Sequence, residues 1–198
     1  MQSGLVYLLQ SLVDLYLMVV ALRLAMQWVR ADFRNPIVHF VISVTDPLVK
    51  PLQKMLAPMY KIDTATLVVF MAIQAGVIVT LTSLTCLVMP DAITLLWLAI
   101  IRGMRLMLNV YFFVIFAYVL MGWIAPSGYN PSLAMLNNML RELAQPVLQP
   151  VQRLIPAIGG LDLSALFLLL GLSAVTRMLL SPAQQIANGY LCPLGGIL

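Results

Sequence analysis

Acidic and basic side chains make up only 9% of this 198-residue sequence, where an ordinary soluble domain carries about 25%. So few charges cannot coat a water-exposed surface, which excludes a conventional soluble domain. Cysteine is nearly absent too: Cys86 and Cys192 are too few for a disulfide framework or a CxxC metal site. They are read as two inert thiols, with a single bridge between them as the alternative. His39 is the one histidine, and no set of Cys, His and carboxylate side chains reaches metal-ligand spacing. It is read as an ordinary interfacial residue, and no metal or other cofactor is expected. No serine, cysteine or aspartate sits in a pattern that would activate a nucleophile, so no catalytic residue and no enzymatic activity are expected. The formal charge of +4 comes from basic residues scattered among apolar ones, without a nucleic-acid recognition pattern. Direct binding of nucleic acid is not expected.

What the sequence has in abundance is apolar surface, 62% of its residues. About 20 such residues in a helix cross the roughly 30 Å hydrocarbon core of a bilayer. Four crossings are predicted, over residues 5–29, 65–89, 102–124 and 161–180, with 90–101 as a connecting approach segment. Residues 1–4 carry no basic n-region and the first run is too long for a signal peptide's apolar core, so the first helix is expected to persist.

The chain repeats itself. Trp28 aligns with Trp123 and Asn35-Pro36 with Asn130-Pro131 at an offset of 95, while Pro47, Pro51, Lys54 and Asp63 align with Pro146, Pro150, Arg153 and Asp162 at an offset of 99. Each repeat is a crossing helix, a loop and a returning helix. Two crossings per repeat make the halves parallel. The first repeat takes residues 1–89, with its loop at 30–63. The second takes 102–180, with its loop at 125–160, and a Gly/Pro-containing tail follows over 181–198. The fold expected is an all-α integral membrane protein with four transmembrane helices in two parallel-oriented tandem repeats.

The loops are patterned. Asn35 and Asn130 each precede a proline, as an N-cap precedes Pro at the first helical position. Ile37, Phe40, Val41 and Val44 then share a helical face, as do Leu133, Leu136, Leu140 and Leu143. A second short helix is predicted in each loop, capped by Thr45 or Asp46 and starting at Pro47 in the first. There Leu48, Val49, Leu52, Met55 and Leu56 occupy a sector of roughly 120° opposite Lys50, Gln53 and Lys54. Pro51 and Pro150 should bend these helices, and the carbonyls they release find partners in a headgroup layer more readily than in hydrocarbon. The prediction is a proline-bent amphipathic segment lying at the membrane interface, with Lys50, Lys54, Arg153, Arg30 and Arg34 toward anionic lipid phosphates.

These residues also carry a resemblance. An Asn-Pro, a T-D-P-L-x-x-P segment (Thr45, Asp46, Pro47, Leu48, Pro51) with Lys54 and Pro58, and Asp63 before an apolar run, with much of the pattern repeated at Asn130, Pro131, Pro146, Pro150 and Asp162, is similar to the YggT family over residues 5–65 and 100–180. The second copy departs from the pattern at Ala144-Gln145, where Thr-Asp is usual. Bacterial members of that family have been connected with osmotic-stress tolerance and cation uptake, and related YlmG proteins with cell division and membrane-complex assembly. The resemblance implies no enzymatic activity; the paired amphipathic loops are read as those of a non-catalytic inner-membrane scaffold or assembly factor that engages anionic lipid and membrane partners, with a component of a cation-transport or osmotic-response channel as the alternative. A membrane-protein partner or a homo-oligomer is expected.

Seven basic residues (Arg30, Arg34, Lys50, Lys54, Lys61, Arg141, Arg153) fall on the side of the repeat loops and three (Arg102, Arg105, Arg177) on the other. This bias predicts a multi-pass protein of the bacterial inner membrane with cytoplasmic loops. Asp14 lies about 13 Å into the first helix, too deep for its short side chain to reach headgroups. Asn109 is its equivalent in the second repeat. Asp14, Asn109 and Arg105 are predicted to form an intramembrane polar cluster, read either as part of an ion path or as a structural contact between helices. Arg23 lies on the opposite face from Asp14, and Arg23, Arg102 and Arg177 are expected to reach toward nearby interfaces.

Overall fold

The computed structural model describes residues 4–31, 35–56, 63–85, 89–124, 131–154 and 163–188, and the regular structure among them is entirely helical. Six helices follow in order: α1 (Gly4–Val29), α2 (Pro36–Gln53), α3 (Thr64–Thr85), α4 (Ala92–Ile124), α5 (Pro131–Leu154) and α6 (Leu163–Asn188). Three contain stretches long and apolar enough to cross a membrane, Tyr7–Val29, Thr64–Ser83 and Ala92–Gly122. The apolar part of α6 is shorter and runs over Ser164–Leu179.

Two expectations about helix boundaries change. Residues 92–101, expected as an approach segment, are continuous with the span that follows: α4 is one unbroken helix of 33 residues, about 50 Å long, with no proline between Ala92 and Ile124 to interrupt it. Nor do the loops hold two short helices each. α2 runs through Pro47 and Pro51, and α5 through Pro146 and Pro150. Each proline removes the N–H that would bond the carbonyl four residues earlier. Here the prolines and the donor-deprived residues Ser43 and Glu142 are all exposed. A stripe of prolines four apart therefore leaves its unpaired carbonyls on the outer side of the helix, where they can be solvated. Thr45, expected as a possible cap, is buried inside α2 and donates to the Val41 carbonyl at 2.7 Å.

The ends follow local chemistry. Asn35 caps α2, its side-chain oxygen accepting from the Ile37 N–H at 3.0 Å, with Pro36 at the first helical position. α1 closes with Arg30 in the left-handed region (φ 55), where the Ala31 N–H donates to the Met26 carbonyl at 3.0 Å and the Arg30 N–H to that of Gln27 at 3.2 Å. That pair of bonds is a Schellman closure, a place usually held by glycine.

The main core forms around α1. Leu17, Val20, Ala21, Leu24 and Ala25 recur at helical spacing and pack with Phe70 of α3, Leu106, Val110 and Val114 of α4, Val38 and Val41 of α2, and Met139, Leu140 and Leu143 of α5. The contacts have the same plan in each half: α1, α2 and α3 touch one another, and so do α4, α5 and α6. Across the halves α4 lies against both α1 and α3, and α5 against α1. Gly103 permits the close approach of α3 and α4, since a Cβ there would lie 3.0 Å from the Phe70 ring.

Candidate functional site

α2 has three sides. Val38, Val41, Thr45 and Val49 are buried against the protein. Phe40 and Leu48, in a second sector of the helix, and Met55, two residues past its end, are 63%, 48% and 85% exposed. Asp46, Lys50 and Lys54 fall on the third. The predicted apolar face is thus divided, one edge taken by α1 and α3 and the other left open. α5 is built more simply. Met139, Leu140, Leu143, Ala144 and Leu148 are buried, and the exposed large hydrophobics, Leu133 and Met135, lie in the first two turns, with none between Leu136 and Arg153. Arg153 and Arg30 are exposed.

The inner edge of α2 is fastened by a buried cation. Arg23 on α1 is 6% exposed, and its Nη1 donates to Thr45 Oγ1 at 2.6 Å and to Asp46 Oδ1 at 2.9 Å. Lys50 reaches the other carboxylate oxygen of Asp46 at 2.8 Å, one helical turn along. Burial pushes the Asp46 carboxyl up, but the hydrogen bonds from Lys50 and Arg23 and their positive charge outweigh it, leaving the pKa below its ordinary value. Arg23 therefore does not reach for an interface. The signal for this contact was a cation nearly two turns from the end of an apolar helix, facing a Thr-Asp pair that sequence reasoning assigned to capping.

Asp63 has the capping role. Its Oδ1 accepts from the Ala65 N–H at 3.1 Å and its Oδ2 from the Thr66 hydroxyl at 2.8 Å, holding the first turn of α3. Gln53 of α2 donates to the same carboxylate, and the Asp63 N–H donates to Gln27 Oε1 of α1 at 3.2 Å. One residue thereby joins the ends of three helices. Asn35, besides capping α2, donates from Nδ2 to the Met135 carbonyl of α5 at 3.1 Å, a link between the two halves.

Asp14 has a partner, and it is Arg102: the guanidinium Nη2 bonds Asp14 Oδ1 between α1 and α4. Arg102 is 5% exposed, so it stays inside rather than reaching outward. Arg105 and Asn109, the other expected members of the cluster, are half-buried on α4, and Arg105 lies near enough for the Asp14 charge to act on it, while the hydrogen bond goes to Arg102. Arg105 lies one turn beyond Arg102, so helical spacing had pointed to the right region of α4 and the neighbouring guanidinium. Arg177 is exposed on α6. Arg34, Lys61, Asn130, Asp162, Pro58 and both cysteines lie outside the described residues.

The sequence model of the CCB3/YggT family matches residues 2–84 and 97–183. An uncharacterized protein of Pseudomonas aeruginosa is 35% identical over 183 residues, 91% of this chain and 90% of its own. The uncharacterized protein YggT of Escherichia coli is 33% identical over 195 residues, 96% of each chain. An uncharacterized protein of Vibrio alginolyticus is 32% identical over 169 residues, 84% of this chain and 88% of its own. No solved structure matches.

Proposed function

Since the chain belongs to the CCB3/YggT family, we propose that it is a non-catalytic membrane scaffold or assembly factor that holds α2 at the lipid–water boundary. The observation that carries this reading is the three-sided helix. One flank rests on α1 and α3, a second presents Phe40, Leu48 and Met55, and the third presents Lys50 and Lys54. An amphipathic helix on the surface of a globular protein in water turns its apolar sector toward the core. A helix at the edge of a membrane protein has two apolar surroundings, and its apolar sector divides between them. The exposed apolar flank is the side for acyl chains, and the lysines are placed for anionic headgroups. Each basic residue near such a surface contributes about 1 kcal/mol of attraction.

In this reading α1, α3, α4 and α6 are four crossings in two parallel repeats. The apolar run Ser164–Leu179 of α6 covers about 24 Å, and outward reach of Arg177 makes up the shortfall. The chain lies in the bacterial inner membrane with α2 and α5 on the cytoplasmic side, and its partner is a membrane protein or a second copy. Spin labels at positions 40, 48 and 55, in a chain whose two cysteines are replaced, should meet lipid-soluble oxygen. Labels at 43, 50 and 54 should meet a water-soluble relaxant. Uniform aqueous exposure of both sets would overturn the proposal.

A second reading, a component of cation transport or of an osmotic-response channel, is favoured by the Asp14–Arg102 pair inside helices of spanning length. Asp14→Asn should then abolish cation flux in reconstituted vesicles. Unchanged flux would sink that reading and leave the scaffold untouched.

A further inference from the structure

One set of buried polar atoms belongs to neither the α2 junction nor a helix cap. Gln74, in the middle of α3, is 0% exposed, and neither its amide oxygen nor its amide nitrogen has a partner in the protein. Arg102 gives Nη2 to Asp14, while its Nη1 is buried without a partner. Packing fixes their relative height. Gly103 of α4 lies against Phe70 and Met71 of α3, and Ile78 of α3 packs with Leu98, Ala99 and Ile101 of α4. The two helices are therefore antiparallel. Gln74, one turn from Phe70 and one from Ile78 on the same face, falls level with Arg102. Asp14, Gln74 and Arg102 thus place polar groups from α1, α3 and α4 at one depth, across the boundary between the two family-matched stretches.

We propose that this level holds bound water that bridges Arg102 Nη1 and the Gln74 amide, forming a hydrated node within the helix bundle. The hydrogen-bond inventory selects the ligand. Arg102 offers only donors, whereas the Gln74 amide offers both donors and an acceptor. A bridging species must accept from Arg102 and also donate to Gln74 Oε1. Water does both and a halide or a metal cation does not. A direct bond from Arg102 Nη1 to Gln74 Oε1 would still leave the amide nitrogen unpaired. Asp14 offsets the charge of Arg102, with Arg105 one turn along as a second cation near the same carboxylate, so an anion is the competing occupant, which chloride exchange separates from water. Buried waters characteristically take about three hydrogen bonds to groups of this kind. The node ties α1, α3 and α4 together through bonds that hydrocarbon cannot replace. It rests on the reading of these helices as membrane spans.

The test is water-edited solid-state NMR on the full chain, labelled with 15N-glutamine and 13C-leucine, in lipid bilayers. The side-chain amide signal that disappears in Gln74→Leu belongs to Gln74. Should that variant not fold, Gln74→Asn removes the same signal from the glutamine set. Polarisation from water should reach it within about twofold of the time needed for exposed Gln53. Transfer slower by about tenfold or more, as for an amide in a dry core, would overturn the proposal. Exchanging chloride for gluconate should leave the signal in place, and a halide-dependent shift would overturn it in favour of an anion. Rapid transfer to the exposed face of α1, read at Leu12 and Leu15, would show helices in water rather than hydrocarbon. That result would overturn the membrane reading and this proposal with it, whereas a slow Gln74 beside slow leucines defeats the node alone.

Discussion

At the junction of α1 and α2 the buried polar contact is ionic, Arg23 against Thr45 and Asp46. At the corresponding places of the second half, by the offsets of 95 and 99 in the repeat, stand Tyr118, Ala144 and Gln145. α5 nevertheless lies against α4 as α2 lies against α1. Docking an amphipathic helix on its preceding span therefore does not require a charge pair. The first half carries one whose desolvation is offset only while both partners are present. The outer edges differ in where they are open: α2 exposes Phe40, Leu48 and, just past its end, Met55, whereas the exposed large hydrophobics of α5, Leu133 and Met135, sit in its first two turns, with none between Leu136 and Arg153. The two helices share a plan, but the apolar opening extends along α2 and is confined to the start of α5.

The sharpest way to break this comparison is to remove one member of the ionic junction. Arg23→Met or Asp46→Asn alone should destabilise the protein by about 3–5 kcal/mol, measured by unfolding in detergent. The triple change Arg23→Tyr, Thr45→Ala and Asp46→Gln, which writes the second half's residues into the first, should recover most of that loss. A triple variant as unstable as the single ones would show that the two junctions are not interchangeable. Asp14→Asn imports the second half's Asn109 in the same way. It leaves Arg102 buried without its counter-charge and should cost a similar amount, about 3 kcal/mol or more.

The outer edge gives smaller effects. Lys50→Gln together with Lys54→Gln should weaken selection of anionic over zwitterionic lipid by about 1 kcal/mol per residue, roughly fivefold each, as read by lipid retention in mixed nanodiscs. Arg153→Gln on α5, where the exposed Leu133 and Met135 lie at the opposite end of the helix, should change it less. Equal effects on the two helices would remove the distinction between them.

Acid separates the halves next. Because the Asp46 pKa is lowered in the folded protein, its contribution is fully present above the ordinary carboxylate value and is lost as pH falls through the lowered one. Acid unfolding should be less steep in the triple variant, where the amide that replaces the Asp46 carboxylate does not titrate. The smallest effect is expected at Arg30. Its left-handed backbone favours glycine, so Arg30→Gly should stabilise by about 0.5–1 kcal/mol, visible as a modest rise in the thermal midpoint.

Much of this architecture was legible along the chain. Apolar runs located the long helices, and Asn35-Pro36 marked the start of α2 through chemistry confined to adjacent residues. The prolines misled, because a sequence shows that an N–H is missing but not that the released carbonyl lies on an exposed stripe. Asp46 and Asp63 illustrate the same limit. Both are acidic residues near helix ends, yet Asp63 caps α3 while Asp46 receives a cation from another helix. The pairing of Asp14 with Arg102 rather than with Arg105 was beyond reach for the same reason. Periodicity states which residues share a face, and the rotation of one helix against another is set by packing, here by the close fit of Gly103 on Phe70.

The sequence by itself determined the all-helical class, the long apolar helices and the start of α2, since transfer of apolar side chains and hydrogen bonding within a helix depend on composition and near neighbours alone. Only the tertiary structure decided which buried charges meet and which apolar edge of α2 remains open. Those outcomes depend on distances between residues as far apart as Asp14 and Arg102, where turning α4 by one residue would put Ile101 or Gly103 in the place of the guanidinium.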